Sequence, residues 1–358
     1  MHITKLRLKQ FRCFTSYSLT FTAPVVLITG ANGSGKTSLL EALHYMCYLR
    51  SFRTHLPKEL IAFSDATFFI QAQIEDAALT HEIQVGFAGK KKVVKLDARP
   101  VSSYKELNQV FRILTITQDD LALVYGGPEA RRDFLDQALA LLDPEYLVQL
   151  RTYKTIVQNR NALLHKSNVN QESYALWTEK LWQHSSIMQE KRKQILKEIQ
   201  EITNQLLQEH FLSAIKLNFT YKAKKITPGQ NYQDFLDTHP RLKDQEEIMG
   251  RSLFGAHLDD IALEFQNKAS KAYASRGQQK LLVLLIKTAF MRILCQNKGA
   301  AIFLLDDFMT DFDHATLKTL LELLKNLNTQ LIFTSPAEQG YFEQLLIDSG
   351  CQHISLTP

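Results

Sequence analysis

Apolar and charged residues alternate where the chain begins: Ile3, Leu6 and Leu8 stand among Lys5, Arg7 and Lys9. A period of two predicts a strand with one buried face, and the charges rule out a signal peptide. Val25-Val26-Leu27-Ile28 is an unbroken apolar run, as in a buried strand, and Ser38 to Leu49 reads as a helix. Residues 67–75 alternate again. Residues 81–96 predict a hairpin, with His81–Phe87 and Lys91–Leu96 as arms and Ala88-Gly89-Lys90 as the turn. The tip lysines Lys90, Lys91 and Lys92 either protect a solvated edge or meet a phosphate backbone. Arg50 and Arg53 sit in a basic loop just past the helix.

A strand over 113–117 ends in Gln118-Asp119-Asp120. Gly126-Gly127-Pro128 then starts a helix, with Glu129 in its first turn. From there to about residue 250 the texture is polar and helical, with few strand signals. Leu181, Met188, Ile195 and Ile202 recur every seven residues, and Ser185, Arg192, Ile199 and Leu206 fill the other seam position. The pattern predicts a coiled-coil-like helix packed on neighbouring helices. Its basic residues Lys191, Arg192, Lys193 and Lys197 read as a solvated face. Thr227-Pro228-Gly229 marks a turn. In the closing third, an apolar helix (281–295), the apolar run 300–305, a helix (315–327), a strand (330–334) and an edge strand (352–356) follow in order. The expected fold class is α/β: a P-loop lobe with a mixed sheet, interrupted by an α-helical lobe. The expected divisions are 1–127, 128–249 and 250–358.

Composition narrows this picture little. At 358 residues, 45% hydrophobic and 22% charged, the chain has the make-up of a globular protein large enough for two domains. No apolar run approaches a membrane span. Cys13, Cys47, Cys295 and Cys351 lack C-x-x-C spacing, which suggests reduced thiols in a cytoplasm and no zinc site. A net charge of +5 leans toward an anionic partner, though nucleotide phosphates alone also favour it.

Candidate chemistry changes the picture more. Gly30-Ala31-Asn32-Gly33-Ser34-Gly35-Lys36-Thr37 lies between the apolar strand and the helix, which is the context of a P-loop. Glycines let backbone N–H groups approach phosphate oxygens, and the helix dipole favours the same anion. Lys36 is placed to reach the β- and γ-phosphates, and the Thr37 hydroxyl to take one Mg²⁺ position. ATP and Mg²⁺ are the expected ligands. The run Ala300–Leu305 predicts a buried parallel strand ending in Asp306-Asp307. Asp306 can hold Mg²⁺, directly or through water, and Asp307 can orient the attacking water. Ser275-Arg276-Gly277-Gln278 precedes the long apolar helix. It is either a plain Ser N-cap or a second anion-binding helix end, with Ser275 as hydrogen-bond donor and not nucleophile.

These motifs, in this order and with a helical insert between them, resemble the ATP-binding-cassette (ABC) ATPases of the chromosome-maintenance type. The resemblance is closest to the RecF family of bacterial recombination proteins. It rests on Phe11-Arg12, the P-loop, Ser51-Phe52-Arg53-Thr54, Arg131-Arg132-Asp133-Phe134-Leu135-Asp136, Ser275–Gln279 and Leu304–Asp307 with Asp313. It implies a slow DNA-dependent ATPase. ATP on Lys36, Thr37 and Asp306 of one subunit would be capped by Ser275, Gly277 and Gln278 of another, giving an ATP-dependent homodimer that holds gapped or double-stranded DNA. The family works with RecO and RecR to load RecA. By analogy Arg12 reaches the nucleotide or caps an edge, and Gln118 senses Mg²⁺ and water or simply ends a strand. The sequence departs from the family at Gly255-Ala256-His257-Leu258-Asp259-Asp260, which lacks a Pro and an Arg, and at Gln118, where the family usually has Pro. Thr334-Ser335 stands where many cassette ATPases carry a switch His. His257 is either active or a satisfied core or capping residue. A transporter ATPase subunit and a metabolic P-loop kinase are the competing classes; the helical insert and the Ser275 motif speak against them.

Overall fold

Ile3, Leu6 and Leu8 are fully buried while Lys5, Arg7 and Lys9 are exposed, so the opening alternation is a strand of a one-faced sheet. This computed structural model describes residues 1–63, 65–76, 79–89, 91–101, 104–166, 169–211, 216–227, 229–265, 268–270, 274–336 and 340–357. Lys90 and Pro228, expected in turns, lie outside the described residues. The chain divides into two compact units, one of Met1–Asp120 with Phe290–Pro358 and one of Leu121–Ala289.

The first unit opens with β1 (His2–Phe11), β2 (Phe14–Thr20) and β3 (Val25–Gly30), then α1 (Lys36–Tyr48). Next come β4 (Thr67–Asp76), β5 (Leu79–Ala88), β6 (Lys91–Leu96), β7 (Arg99–Pro100), α2 (Tyr104–Val110) and β8 (Ile113–Ile116). Six of these strands form an antiparallel sheet in the order β2-β1-β4-β5-β6-β7. The strands Ile302–Leu305, Gln330–Pro336 and Gln352–Leu356 join β3 and β8 in a five-stranded parallel sheet. The expected mixed sheet is therefore two sheets of different kinds. Helix α1 shares one core with both: Leu39 and Leu43 pack with Ile70 and Val85 of the first sheet and Val26, Ile28 and Leu304 of the second. Being enclosed, it is apolar almost all round, and Ser38 through Cys47 are buried.

The central strand Ile302–Leu305 pairs in parallel with β8 on one side and Gln330–Pro336 on the other. All four of its residues are fully buried, each side chain contributing about 1.5–3 kcal/mol of transfer free energy. This anchorage fixes the backbone from which Asp306 and Asp307 emerge.

The second unit contains α3 (Ala122–Tyr125), α4 (Pro128–Leu142), α5 (Pro144–Leu164) and the 40-residue α6 (Gln171–His210). It continues through β9 (Leu217–Lys222), α7 (Tyr232–Thr238), α8 (Leu242–Met249), β10 (Asp260–Phe265) and β11 (Lys268–Ala269). Of the eight heptad residues, Leu181, Ser185, Met188, Arg192, Ile195, Ile199 and Leu206 are buried and Ile202 is half-buried. Arg192 corrects the expectation of a solvated basic face: it is buried and donates to both carboxylate oxygens of Asp136. Arg160 and Glu246, both fully buried, pair at 2.5 Å and tie α5 to α8, with Tyr174 donating to Glu246 as well. Strand β9, which joins β10 and β11 in a three-stranded sheet, was not expected in the stretch up to about residue 250 read as helical. Its signal, Leu217-Phe219-Tyr221, is a short alternation after a long helical pattern. By contacts, residues 250–289 cluster with this unit.

Candidate functional site

The P-loop owes its shape to glycines at two close approaches. Gly35 has φ +100°, and a Cβ there would stand 2.7 Å from Cys13 Sγ and 2.6 Å from Phe14 Cζ. At Gly30 a Cβ would run into Ser34 Oγ and lie 2.8 Å from the Leu356 carbonyl. Helix α1 then begins with no side-chain cap and no acidic residue in its first turn. Its leading N–H groups and dipole are left to an external anion. Lys36 is buried, with Nζ donating to the Gly30 carbonyl at 2.7 Å and the Ala31 carbonyl at 3.1 Å, so the ammonium lies over the loop. Ser34 Oγ is buried with no hydrogen-bond partner among the described residues, a donor without an acceptor inside an anion-shaped loop. The residues present fit a triphosphate. Ala31, Asn32 and Gly33 form the exposed outer rim of the loop.

The end of the central strand meets this loop. Thr37 Oγ1 donates to Asp306 Oδ1 at 3.1 Å, and Thr334 Oγ1 donates to the same oxygen at 2.9 Å. Burial pushes the Asp306 carboxyl above its ordinary range; the two hydroxyls counter this, and Asp307 adds to it. A buried carboxylate beside a hydroxyl is the hard-oxygen set that Mg²⁺ takes, with water and phosphate completing its shell. Among the described residues no three His, Cys, Asp or Glu gather in one place, so the fit is to an ion bound mostly by non-protein oxygens. Asp307 has φ +50° and its N–H donates to Thr334 Oγ1 at 2.8 Å. Gln118 is exposed and donates from Nε2 to the Asp307 carbonyl at 2.7 Å. Thr37, Asp306, Asp307 and Gln118 are thus brought together.

Two groups have roles that the sequence pattern did not assign. Thr334 links both aspartates, in the place considered for a histidine. Glu41, fully buried on α1, binds Arg12 through two bonds of 2.8 and 2.6 Å, accepts from Ser51 Oγ at 2.5 Å and lies 3.7 Å from Arg53. Arg12, read as reaching nucleotide or capping an edge, holds Glu41 through Nε and Nη2, and its Nη1 donates to the Glu59 carbonyl at 2.7 Å. The signal for Glu41 was its position in the same helix, four residues beyond Thr37, in an otherwise apolar run.

In the second unit the motif Ser275–Gln278 opens the helix Arg276–Lys298. Ser275 Oγ accepts from Gln278 N at 3.3 Å and Gln278 Oε1 accepts from Ser275 N at 2.9 Å. That reciprocal pair is a capping box, so the N-cap reading of Ser275 describes what is present. All of Ser275, Arg276, Gly277 and Gln278 are exposed, and a Cβ at Gly277 would meet nothing within 4 Å. The motif 131–136 pins the unit together. Arg131 holds Asp260 at 2.8 Å, Arg132 donates to the Asp259 carbonyl at 2.7 Å, and Asp136 takes Tyr146 and Arg192. His257 Nδ1 lies 2.7 Å from Tyr153 OH, and burial followed by nearby arginines drives its pKa down to about 4. It is a neutral, satisfied residue of this unit.

A P-loop on a parallel sheet, an Asp pair at the end of the central strand, an antiparallel side sheet and a Ser-x-Gly-Gln helix start define an ABC-type P-loop ATPase of the kind found in chromosome-maintenance proteins. The family described as "RecF/RecN/SMC N terminal domain" matches residues 2–345. The DNA replication and repair protein RecF of Lactobacillus johnsonii is 30% identical, covering 99% of this chain and 98% of its own. That of Natranaerobius thermophilus is 29% identical, covering 95% and 92%. The solved structure of the recombination mediator protein RecF with ATP, from the RecFOR pathway, has the same fold: TM-score 0.85, 24% identity, 94% of this chain and 92% of that one. An Smc head domain from Pyrococcus furiosus has a TM-score of 0.51 at 15% identity, over 94% and 89%. The chain belongs to the RecF family, within the wider RecF/RecN/SMC group.

Proposed function

We propose that the protein is an ATP-operated clamp on DNA, acting in recombinational repair and replication restart. The observation that carries this is the contrast between two helix starts. One, at Lys36, lacks a side-chain cap and faces its own phosphate-shaped loop. The other, at Ser275, is capped, fully exposed and open at Gly277. A surface helix start with a missing side chain is suited to approach the nucleotide of a second copy, with Ser275 and Gln278 turning from each other toward phosphate oxygens.

In this reading Gly30 to Gly35 cradle ATP, Lys36 neutralises the β- and γ-phosphates, and Thr37 and Asp306 hold Mg²⁺ with Gln118 at the same rim. Mg²⁺ would supply charge neutralisation on the phosphates. Asp307 orients and polarises the attacking water, so hydrolysis, slow and DNA-dependent, reopens the dimer. The names of the relatives and of the solved neighbour support a role on DNA beside RecO and RecR; RecA loading as the outcome rests on the family resemblance alone. Size-exclusion chromatography with and without ATP and Mg²⁺ tests the dimer: a shift to twice the mass supports it, and a monomer at every concentration with nucleotide bound contradicts it.

A further inference from the structure

The outer face of the six-stranded sheet carries ordered polar rows. Across the strands, Ser18 stands opposite Arg7, Arg7 opposite Gln71, Gln71 opposite Gln84 and Gln84 opposite Lys95. The flanking rows run Thr20–Lys5–Gln73–Glu82 and Ser16–Lys9–Phe69–Gly86. The other face is the core: Leu6, Leu8, Ile70, Ile83 and Val85 are fully buried. Lys5, Arg7, Lys9, Lys95 and the hydroxyls of Ser16, Ser18 and Thr20 are exposed.

Among the described residues no carboxylate pairs with Lys5, Arg7, Lys9 or Lys95. Two carboxylates among the described residues share this face: Glu82, held by the amides of Gln71 at 2.7 Å and Gln84 at 2.6 Å, and the exposed Glu75, opposite His2 at the Lys5 end of the row. Folding has placed the cations in line, with Glu82 tied up by amides and Glu75 beyond the Lys5 end. Residues two apart on a strand are about 6.8 Å apart, so Lys5 to Lys9 span roughly 14 Å, about four base-pair rises along a duplex axis. Hydroxyl and amide rows on either side supply the neutral donors that phosphate oxygens also accept. The face offers a protein partner little apolar area to bury, since Phe69 and Val93 are its large apolar residues.

We infer that this sheet face is a sequence-independent binding surface for the phosphate backbone of duplex DNA, with Lys5, Arg7 and Lys9 as its charged rail. The inference rests on the DNA-clamp reading above and assigns it a surface.

The test uses the full chain with ATP and Mg²⁺ and a fluorescent duplex, titrated between 50 and 200 mM salt. Each phosphate neutralised contributes about −0.9 to the slope of log K against log salt. The triple variant Lys5→Gln, Arg7→Gln, Lys9→Gln is expected to flatten that slope by about 2.7, so wild-type affinity falls about forty-fold more than the variant's across this range. Ser18→Glu, which adds one negative charge beside Arg7, is expected to weaken binding at low salt. ATP binding and the thermal midpoint are expected to be unchanged, because all the altered side chains are exposed. Superimposable wild-type and variant isotherms would overturn the surface and leave the clamp reading intact, and would also be the outcome if the face served an acidic protein. A wild-type chain with no nucleotide-dependent duplex binding would overturn both.

Discussion

Thr334 Oγ1 joins the two aspartates of the site: it donates to Asp306 Oδ1 at 2.9 Å and accepts from Asp307 N at 2.8 Å. One hydroxyl thus sets the direction of the proposed metal ligand and the backbone of the proposed water-orienting residue. Thr334→Val keeps the shape and removes both of these hydrogen bonds, at a cost of about 1–3 kcal/mol. Turnover is expected to fall roughly tenfold or more while monomer ATP binding is kept. Thr334→Ser should restore it. Equal turnover in the valine variant would remove Thr334 from the mechanism.

Lys36→Ala and Asp307→Asn separate binding from hydrolysis. Lys36 Nζ lies over the loop carbonyls of Gly30 and Ala31, so its loss should abolish measurable ATP affinity in calorimetry. Asp307→Asn should retain ATP, slow its hydrolysis and lengthen the lifetime of the dimer. Normal affinity in the first variant, or normal turnover in the second, contradicts the assigned roles.

The capping box at Ser275 gives a test in a different property. Ser275→Arg replaces an exposed hydroxyl with a bulky cation at the start of Arg276–Lys298. Removing the cap costs about 1 kcal/mol of stability, which a chain of this size absorbs. ATP binding to the monomer should survive and dimerisation should not. An intact ATP-dependent dimer on a sizing column would dissociate Ser275 from the partner's nucleotide.

Glu246 tests the architecture of the helical unit. Its carboxylate faces Arg160 with both groups fully buried. Glu246→Ala leaves a buried guanidinium unpaired and is expected to destabilise the unit by about 3–5 kcal/mol. Denaturant unfolding measures this, and a change below about 1 kcal/mol would show that water or another group takes the charge.

Acid should act on the same unit through His257. Its folded pKa is about 4 against an ordinary 6.5, so between these values the unfolded chain binds the extra proton. Stability from this group is full above pH 6.5 and declines as pH falls toward 4, by at most about 3 kcal/mol. His257→Gln should flatten the dependence of the unfolding midpoint between pH 4.5 and 7. An unchanged pH profile would refute the role.

The strands and helices around the site were legible because their patterns are local. Val25–Ile28 and Ile302–Leu305 are unbroken apolar runs, and Gly30–Thr37 carries its chemistry in consecutive residues. What stayed hidden depends on distant pairs. Glu41 reads as one polar residue in an apolar helix until Arg12, Ser51 and Arg53 converge on it. Arg192 looks like part of a basic surface until Asp136, far along the chain, receives it. Strand β9 was masked by the helical period before it, since a six-residue alternation carries little weight beside 40 helical residues. The exposure of Ser275–Gln278 could not be read from a motif that serves equally well as a plain cap.

The most direct test of the central claim is the mass of the protein in solution as a function of ATP, followed by duplex binding of the same samples. ATP with Mg²⁺ is expected to convert monomer to dimer, and the dimer to bind duplex DNA more tightly than the nucleotide-free chain. A protein that takes up ATP yet stays monomeric, and binds duplex DNA equally with or without it, would contradict the account.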